Sequence, residues 1–247
     1  VARALLAVRY LTIVPVSRRA HASLQELGAA APWFPVVGAG LGLAVAAVDI
    51  VTSRVFPALL AALLTVTAWK VLTGGLHLDG LADCLDGLAG RDPAARLAIM
   101  SDSRIGAFGA MGLVLVLMLE VAAVVELSPA TRWRALVAAP VVARGTPALL
   151  GRLFRAARAD GQGALFVVGL NRLAPGIALA IGLVVATAVL GWPGVVAMGI
   201  AVGCAVAAAA FLTRRLRGVT GDVLGAGVEL SELALLLTLS AWPGARA

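Results

Sequence analysis

Charge is what this sequence has least of. Of its 247 residues only 13% are Asp, Glu, Lys or Arg, against a hydrophobic share of 61% and a mean hydropathy of +1.00. Ordinary soluble domains are about 25% charged, so this composition excludes a soluble fold and implies an integral membrane protein. Cysteine is scarce too. Cys84 and Cys204 lie far apart in apolar surroundings, which excludes a disulfide framework or a zinc knuckle and leaves two small packing residues. The chain does not open on a short apolar core with a small-residue cleavage site, and Arg3, Arg9, Arg18 and Arg19 interrupt its first residues, so no removable signal peptide is expected. The formal charge is nonetheless +7. In a soluble protein that would point to nucleic acid; here the arginines fall between apolar runs, a pattern that membrane topology explains.

Those apolar runs predict an all-α polytopic fold, one integral membrane domain over 1–247 with about seven transmembrane helices. They are Trp33–Val51, Phe56–Thr73, Phe108–Leu127, Trp133–Leu150, Ala174–Gly191, Val195–Leu212 and a shorter Leu230–Trp242. Residues 1–31 hold apolar runs too short to span and predict an interfacial or re-entrant helix. With the N-terminus inside, the inner segments carry fifteen basic residues, Lys70 among them, and the outer ones four, namely Arg54, Arg132, Arg134 and Arg246. The bias places the polar connections 74–107, 152–173 and 213–229 on the cytoplasmic face.

The acids that do occur collect in 74–107, GGLHLDGLADCLDGLAGRDPAARLAIMSDSRIGA. On a helix Asp83 and Asp86 follow Asp79 by four and seven residues, so the three fall within roughly 60° of one another. Carboxylates that close repel unless a cation neutralises them. Oxygen-only ligands favour Mg²⁺ or Mn²⁺ over zinc. Beside this stripe, Gly80, Cys84 and Gly87 make a row of small residues that gives another helix or a phosphate room to approach. A solvated acidic helix face is the plainer alternative.

Other polar groups have two readings each. Arg155 and Arg158, in the stretch RLFRAARADGQG, suit a polyphosphate beside a metal, or they anchor the inner side as Arg152 and Arg172 do. In RRLRGVTGDVLGAGVELSE, Asp222 and Glu229 are seven residues apart and share a helical face, with Glu232 less well aligned; Thr220 and Asp222 would also serve as a helix cap. Glu120 and Arg144 lie within spans and are costly at depth unless they pair, with each other as one option, or line a wet cavity. His77, two residues before Asp79, faces away from the stripe on a regular helix, unless local backbone turns it inward; His21 reads as surface.

HLDGLADCLDGLAG, MSDSRIGAFGA and GVTGDVLGAGVELSE, with AVRYLTIVPV and WFPVVGAGLG before them, resemble the cobalamin synthase family, the membrane-bound adenosylcobinamide-GDP ribazoletransferases, over most of the chain. The resemblance implies that adenosylcobinamide-GDP and α-ribazole, or its 5′-phosphate, combine to give adenosylcobalamin or its 5′-phosphate, with release of GMP. It implies a bacterial cytoplasmic membrane enzyme working with Mg²⁺ on its cytoplasmic side. On that basis Asp79, Asp83 and Asp86 are the expected metal ligands. Asp102 completes the sphere or takes the attacking hydroxyl's proton, with Glu229 a rival base and Asp222 and His77 further catalytic candidates. Arg104, Arg155, Arg158, Ser103, Gly80 and Gly87 are expected at the substrates. Membrane lipid is an expected partner, nucleic acid is not, and a homo-oligomer is possible. A CDP-alcohol phosphotransferase, a metal- or proton-coupled transporter and a non-catalytic scaffold are the competing classes.

Overall fold

The structure is a computed structural model that describes residues 2–16, 24–158 and 161–244. His21, Arg18, Arg19, Arg246 and part of the ADGQG turn lie outside the described residues. The described chain is helical throughout. The short α1 (Ala2–Leu11) is followed by α2 (Leu24–Ala30), which passes through a 3-10 turn at Ala31–Trp33 into α3 (Phe34–Val55). Then come α4 (Ala58–Leu72), α5 (Leu76–Gly87), α6 (Pro93–Ile99), α7 (Ala107–Glu126), α8 (Pro129–Leu153) and α9 (Gln162–Gly169). The last three are α10 (Ala174–Leu190), α11 (Trp192–Leu216) and α12 (Gly221–Ser240).

Local chemistry sets several of these boundaries. Gly74 and Gly75 take left-handed φ values of 63° and 68°, a conformation open to glycine at little cost, and the chain turns 90° there between α4 and α5. Asp92 caps α6 by accepting from the Ala95 amide, with Pro93 in the first turn. Thr220 caps α12 by accepting from the Val223 amide.

Four stretches are long and apolar enough to cross a membrane: Gln25–Val55, Ala107–Glu126, Trp192–Leu216 and Gly221–Ser240. Counting the bent pairs α4 with α5 and α9 with α10 as one span each raises the number to six, short of the seven predicted. The difference has physical causes. α4 has 15 residues and α10 has 17, less than the roughly 20 that a 30 Å hydrocarbon core requires. α8 is long enough, but Arg144, Arg152, Pro140 and Pro147 dilute its apolar character. Two boundaries also move. The helix expected to begin at Trp33 is continued backwards by α2, and the one expected at Leu230 begins at Gly221, so the second acidic motif lies inside a membrane-length helix rather than ahead of it.

α8 is the central helix, buried without a break from Ala135 to Ala148 and packed by α3, α10, α11 and α12. The approach of α3 depends on two glycines one turn apart. A Cβ on Gly42 would lie 2.8 Å from the Val137 carbonyl oxygen, and one on Gly38 would strike the carbonyl of Pro140. Both obstacles are backbone of α8 and have nowhere to move. Gly40, on the opposite side of the turn, meets nothing within 4 Å. Gly42→Val is therefore expected to lower stability by about 1–3 kcal/mol through overpacking, read as an earlier thermal transition in detergent, while Gly40→Val leaves the transition in place.

Candidate active site

Where α12 begins, several segments enclose a cavity of about 610 Å³. Its polar lining residues are His77 and Asp79 from the start of α5, Ser101 after α6, Arg158 from the loop after α8, and Thr220 and Asp222 from α12. The lining also has apolar residues, Leu11, Leu27, Phe34 and Phe166, from four different helices. Tyr10 lines it as well.

The polar residues are held together by backbone approaches. A Cβ on Gly80 would sit 2.9 Å from the Asp222 carbonyl oxygen, so α5 and α12 cross in near contact and bring Asp79 and Asp222 to one wall. Gly163 does the same for α9, where a Cβ would lie 2.9 Å from the Gly221 nitrogen. The loop carrying Arg155 and Arg158 is pinned beside α12 by a parallel bridge between Ala156 and Val219. In it the Val219 amide donates to the Arg155 carbonyl at 2.8 Å and the Ala157 amide to the Val219 carbonyl at 2.9 Å. Arg158 then reaches across, donating from Nη2 to the Leu97 carbonyl at 2.8 Å.

Among the described residues neither Asp79, Asp83 nor Asp222 makes a salt bridge. They act on one another instead: Asp83 is repelled by Asp79 and Asp222, and Asp222 by Asp79, with Arg158 the nearest compensating charge on Asp222. Asp79 faces the cavity; Asp83, one turn on, is half-buried just outside its lining. Among the described residues Asp79, Asp83 and Asp222 do not bring ligand oxygens within 4.8 Å of one another, a spacing met by Glu120, Glu229 and Glu232. What the three aspartates offer is hard oxygen chemistry short of positive charge, of the kind that suits Mg²⁺ or Mn²⁺.

The expected stripe is not fully realised. Asp86 turns away to the start of α7, where its two carboxylate oxygens accept from the Gly106 and Gly109 amides at 2.7 and 2.8 Å. Unpaired helix N-terminal amides with partial positive charge satisfy this carboxylate, so Asp86 fixes α7 instead of joining Asp79. Asp102 and Arg104 pair with each other at 2.6 Å on an exposed loop, Arg104 87% exposed, and neither lines the cavity. The guanidinium of Arg104 holds the Asp102 carboxyl down to about 2. Ser103 is exposed on that loop, and the adjacent Ser101 lines the cavity in its place. Arg155 joins through its backbone while its side chain is exposed. Gly80 serves helix contact, and the space over Gly87 is filled by Met100, whose Cγ would lie 2.7 Å from an added Cβ. His77 is buried against Gly225, with Nδ1 unpartnered, and lines the cavity despite its position off the stripe.

Glu229 belongs to a second polar centre, about 10 Å further along α12 at 1.5 Å per residue. Lys70 Nζ on α4 contacts Glu120 of α7 at 2.9 Å, Glu229 at 2.7 Å and Glu232 at 3.3 Å. Arg144 of α8 pairs with Glu232 at 2.5 Å. Glu120 and Arg144 thus have partners, but not each other. The three glutamates are spaced to hold a metal ion, with ligand atoms within 4.8 Å of one another. The Lys70 ammonium already touches all three. Lys70, counted from sequence among the loop cations, is in fact buried in α4, and so is Arg132 in α8, 3.8 Å from Asp49. A lone lysine within an apolar span was the available signal for this centre; nothing local marked Tyr10, Ser101 or Phe166.

The fold and this site define a multi-pass helical membrane protein with an acid-lined cavity at the start of its last helix. The chain belongs to the cobalamin-5-phosphate synthase family, whose model matches residues 3–240. It is 38% identical over 243 residues to an adenosylcobinamide-GDP ribazoletransferase of Geotalea daltonii, covering 97% of each chain. It is 38% identical over 242 residues to the enzyme of that name from Pseudomonas syringae, covering 95% of this chain and 97% of the other. To the one from Escherichia coli it is 36% identical over 236 residues, covering 93% and 96%. No solved structure matches.

Removing one partner of a buried ion cluster leaves uncompensated charge. Lys70→Met is expected to cost about 3–5 kcal/mol, seen as a lower unfolding midpoint in detergent. Lys70→Met combined with Glu229→Gln should recover part of that loss, because fewer anions remain unpaired.

Proposed function

We propose that this protein joins adenosylcobinamide-GDP to α-ribazole, or to α-ribazole 5′-phosphate, with release of GMP. The observation that carries the reading is that Asp79 and Asp222, neither in a salt bridge, line one cavity with Arg158, in a chain that belongs to this family. In the reaction a ribose hydroxyl of the acceptor attacks the phosphorus on the cobinamide side of the diphosphate. The bond from that phosphorus to the bridging oxygen breaks, GMP leaves with the oxygen, and the hydroxyl proton passes to a base.

Two obstacles are the negative charge on the diphosphate and the weakness of a neutral hydroxyl as nucleophile. Arg158 meets the first, since a guanidinium binds phosphate oxygens and this one is held at the rim by the Leu97 carbonyl. Asp222 or Asp79 meets the second by accepting the proton. Buried His77 lines the same cavity and orients the hydroxyl or relays its proton. Asp79, Asp83 and Asp222 would hold magnesium, which when bound neutralises diphosphate charge and steadies the leaving GMP. Asp86 and Glu229 support the site from behind, and Asp102, paired with Arg104, stands outside the chemistry.

The inward orientation rests on the arginine distribution. Counted with α8 crossing as the fourth of seven spans, the tally loses Lys70 and Arg132, both buried, one from each side, and stands at fourteen inner against three outer. The cavity, built from the polar connections, then faces the cytoplasm.

Purified protein in detergent, given both substrates, is expected to release GMP in a reaction that EDTA stops and Mg²⁺ restores. Asp79→Asn should lower turnover by about 100-fold or more with the thermal transition unchanged, whereas Asp102→Asn should retain it. Near-normal turnover by Asp79→Asn would remove the acids of this cavity from the reaction.

A further inference from the structure

The proposed reaction uses only part of the cavity. Its lining also holds a row of aromatic rings contributed by helices remote in sequence. Tyr10 of α1 stacks on Phe34 of α3 with centroids 6.4 Å apart and planes at 17°. Phe34 in turn stacks on Phe166 of α9 at 6.0 Å and 25°. Leu11 and Leu27 flank the row. Phe34 and Phe166 are almost wholly buried, while Tyr10 is 38% exposed. The Tyr10 hydroxyl lies within electrostatic reach of Asp222.

Resting on the reading above, we infer that this aromatic wall, the exposed Tyr10 ring backed by Phe34 and Phe166, holds the flat base of the acceptor nucleoside. The wall thereby selects a benzimidazole-like base and leaves the ribose at the Asp222 end. Three observations favour that occupant over the other rings in the reaction. A cavity of about 610 Å³ suits a ligand of drug size, and a corrinoid with its side arms is larger than that. Guanine is small enough, but its carbonyl, ring N–H and amino groups would face Leu11, Leu27, Phe34 and Phe166, none of which offers a hydrogen bond. A dimethylbenzimidazole edge is carbon and methyl, and needs none. Stacking then orders the acceptor as well as holding it: with the base on Tyr10, the sugar falls at the polar side where Arg158 and Asp222 stand.

The test compares the two substrates in Tyr10→Leu and Phe166→Leu, substitutions that stay apolar and remove the ring, the first with its hydroxyl. Loss of one base–aromatic stack predicts a KM for α-ribazole 5′-phosphate raised about 10-fold. The KM for adenosylcobinamide-GDP and the kcat should stay within about twofold. In a second arm, equilibrium dialysis of the unaltered protein without donor measures α-ribazole against an adenine riboside of the same anomeric form, expected to bind at least about 10-fold more weakly. A rise confined to the donor's KM would assign the wall to the donor, and equal affinity for the two ribosides would show that it does not read the base; either overturns the inference. Should Phe166→Leu fail to fold, Tyr10→Leu on the half-exposed α1 decides the kinetic arm. Absence of GMP release by the unaltered protein would overturn the reaction instead, while the dialysis would still decide what the wall binds.

Discussion

A charge inside an apolar bundle must find its opposite within the bundle, and that constraint organises this protein. Lys70, Arg144, Glu120, Glu229 and Glu232 come from α4, α7, α8 and α12, and each is buried. Hydrocarbon offers a displaced side chain no alternative partner, so the pairing penalises sliding or rotation of any of the four helices. With α12 fixed by Glu229 and Glu232, the first turn of the same helix delivers Asp222 to the cavity. The order of α12 thus runs from an ionic lock in its middle to a reactive carboxylate at its start.

Helix contacts without side-chain contacts supply the remaining precision. Van der Waals packing, rather than hydrophobic transfer, holds helices together in lipid, so close backbone approach matters more than bulk. Gly38 and Gly42 bring α3 onto α8, Gly80 brings α5 onto α12, and Gly163 brings α9 to the cap of α12. The last two set the width of the cavity, because any Cβ there would separate the walls that carry Asp79, Arg158 and Asp222.

This division explains what could be read from sequence. Apolar runs and scarce charge identify a helical membrane protein, and acids in 74–107 and 214–232 mark the neighbourhood of the site, because both signals are local. The placement of Asp86 has the same origin. Helical spacing aligns it with Asp79 and Asp83, yet its fate is decided by amides of Gly106 and Gly109, twenty residues on, which spacing cannot represent. Glu120 and Arg144 were recognisable as needing partners; the identity of those partners depended on Lys70 and Glu232, that is, on which helices neighbour which. Two spans were counted where α4 and α10 are too short to cross alone, since hydropathy reports apolar character and not the 90° turns that follow or precede them.

Apolar rings and unneutralised charge in one cavity are two answers to a single difficulty. The acceptor proposed here is itself amphipathic, a flat apolar base on a polar sugar, and its partner is a diphosphate that must be shielded from water while it reacts. An entirely polar cavity would bind the diphosphate and leave the acceptor's base unheld. An entirely apolar one would exclude the charge on which the reaction depends. Tyr10 stands where the two conditions meet, its ring stacked on Phe34 and its hydroxyl near Asp222, so the short α1 that precedes the first long apolar helix forms part of the reacting wall and is more than an anchor at the membrane surface.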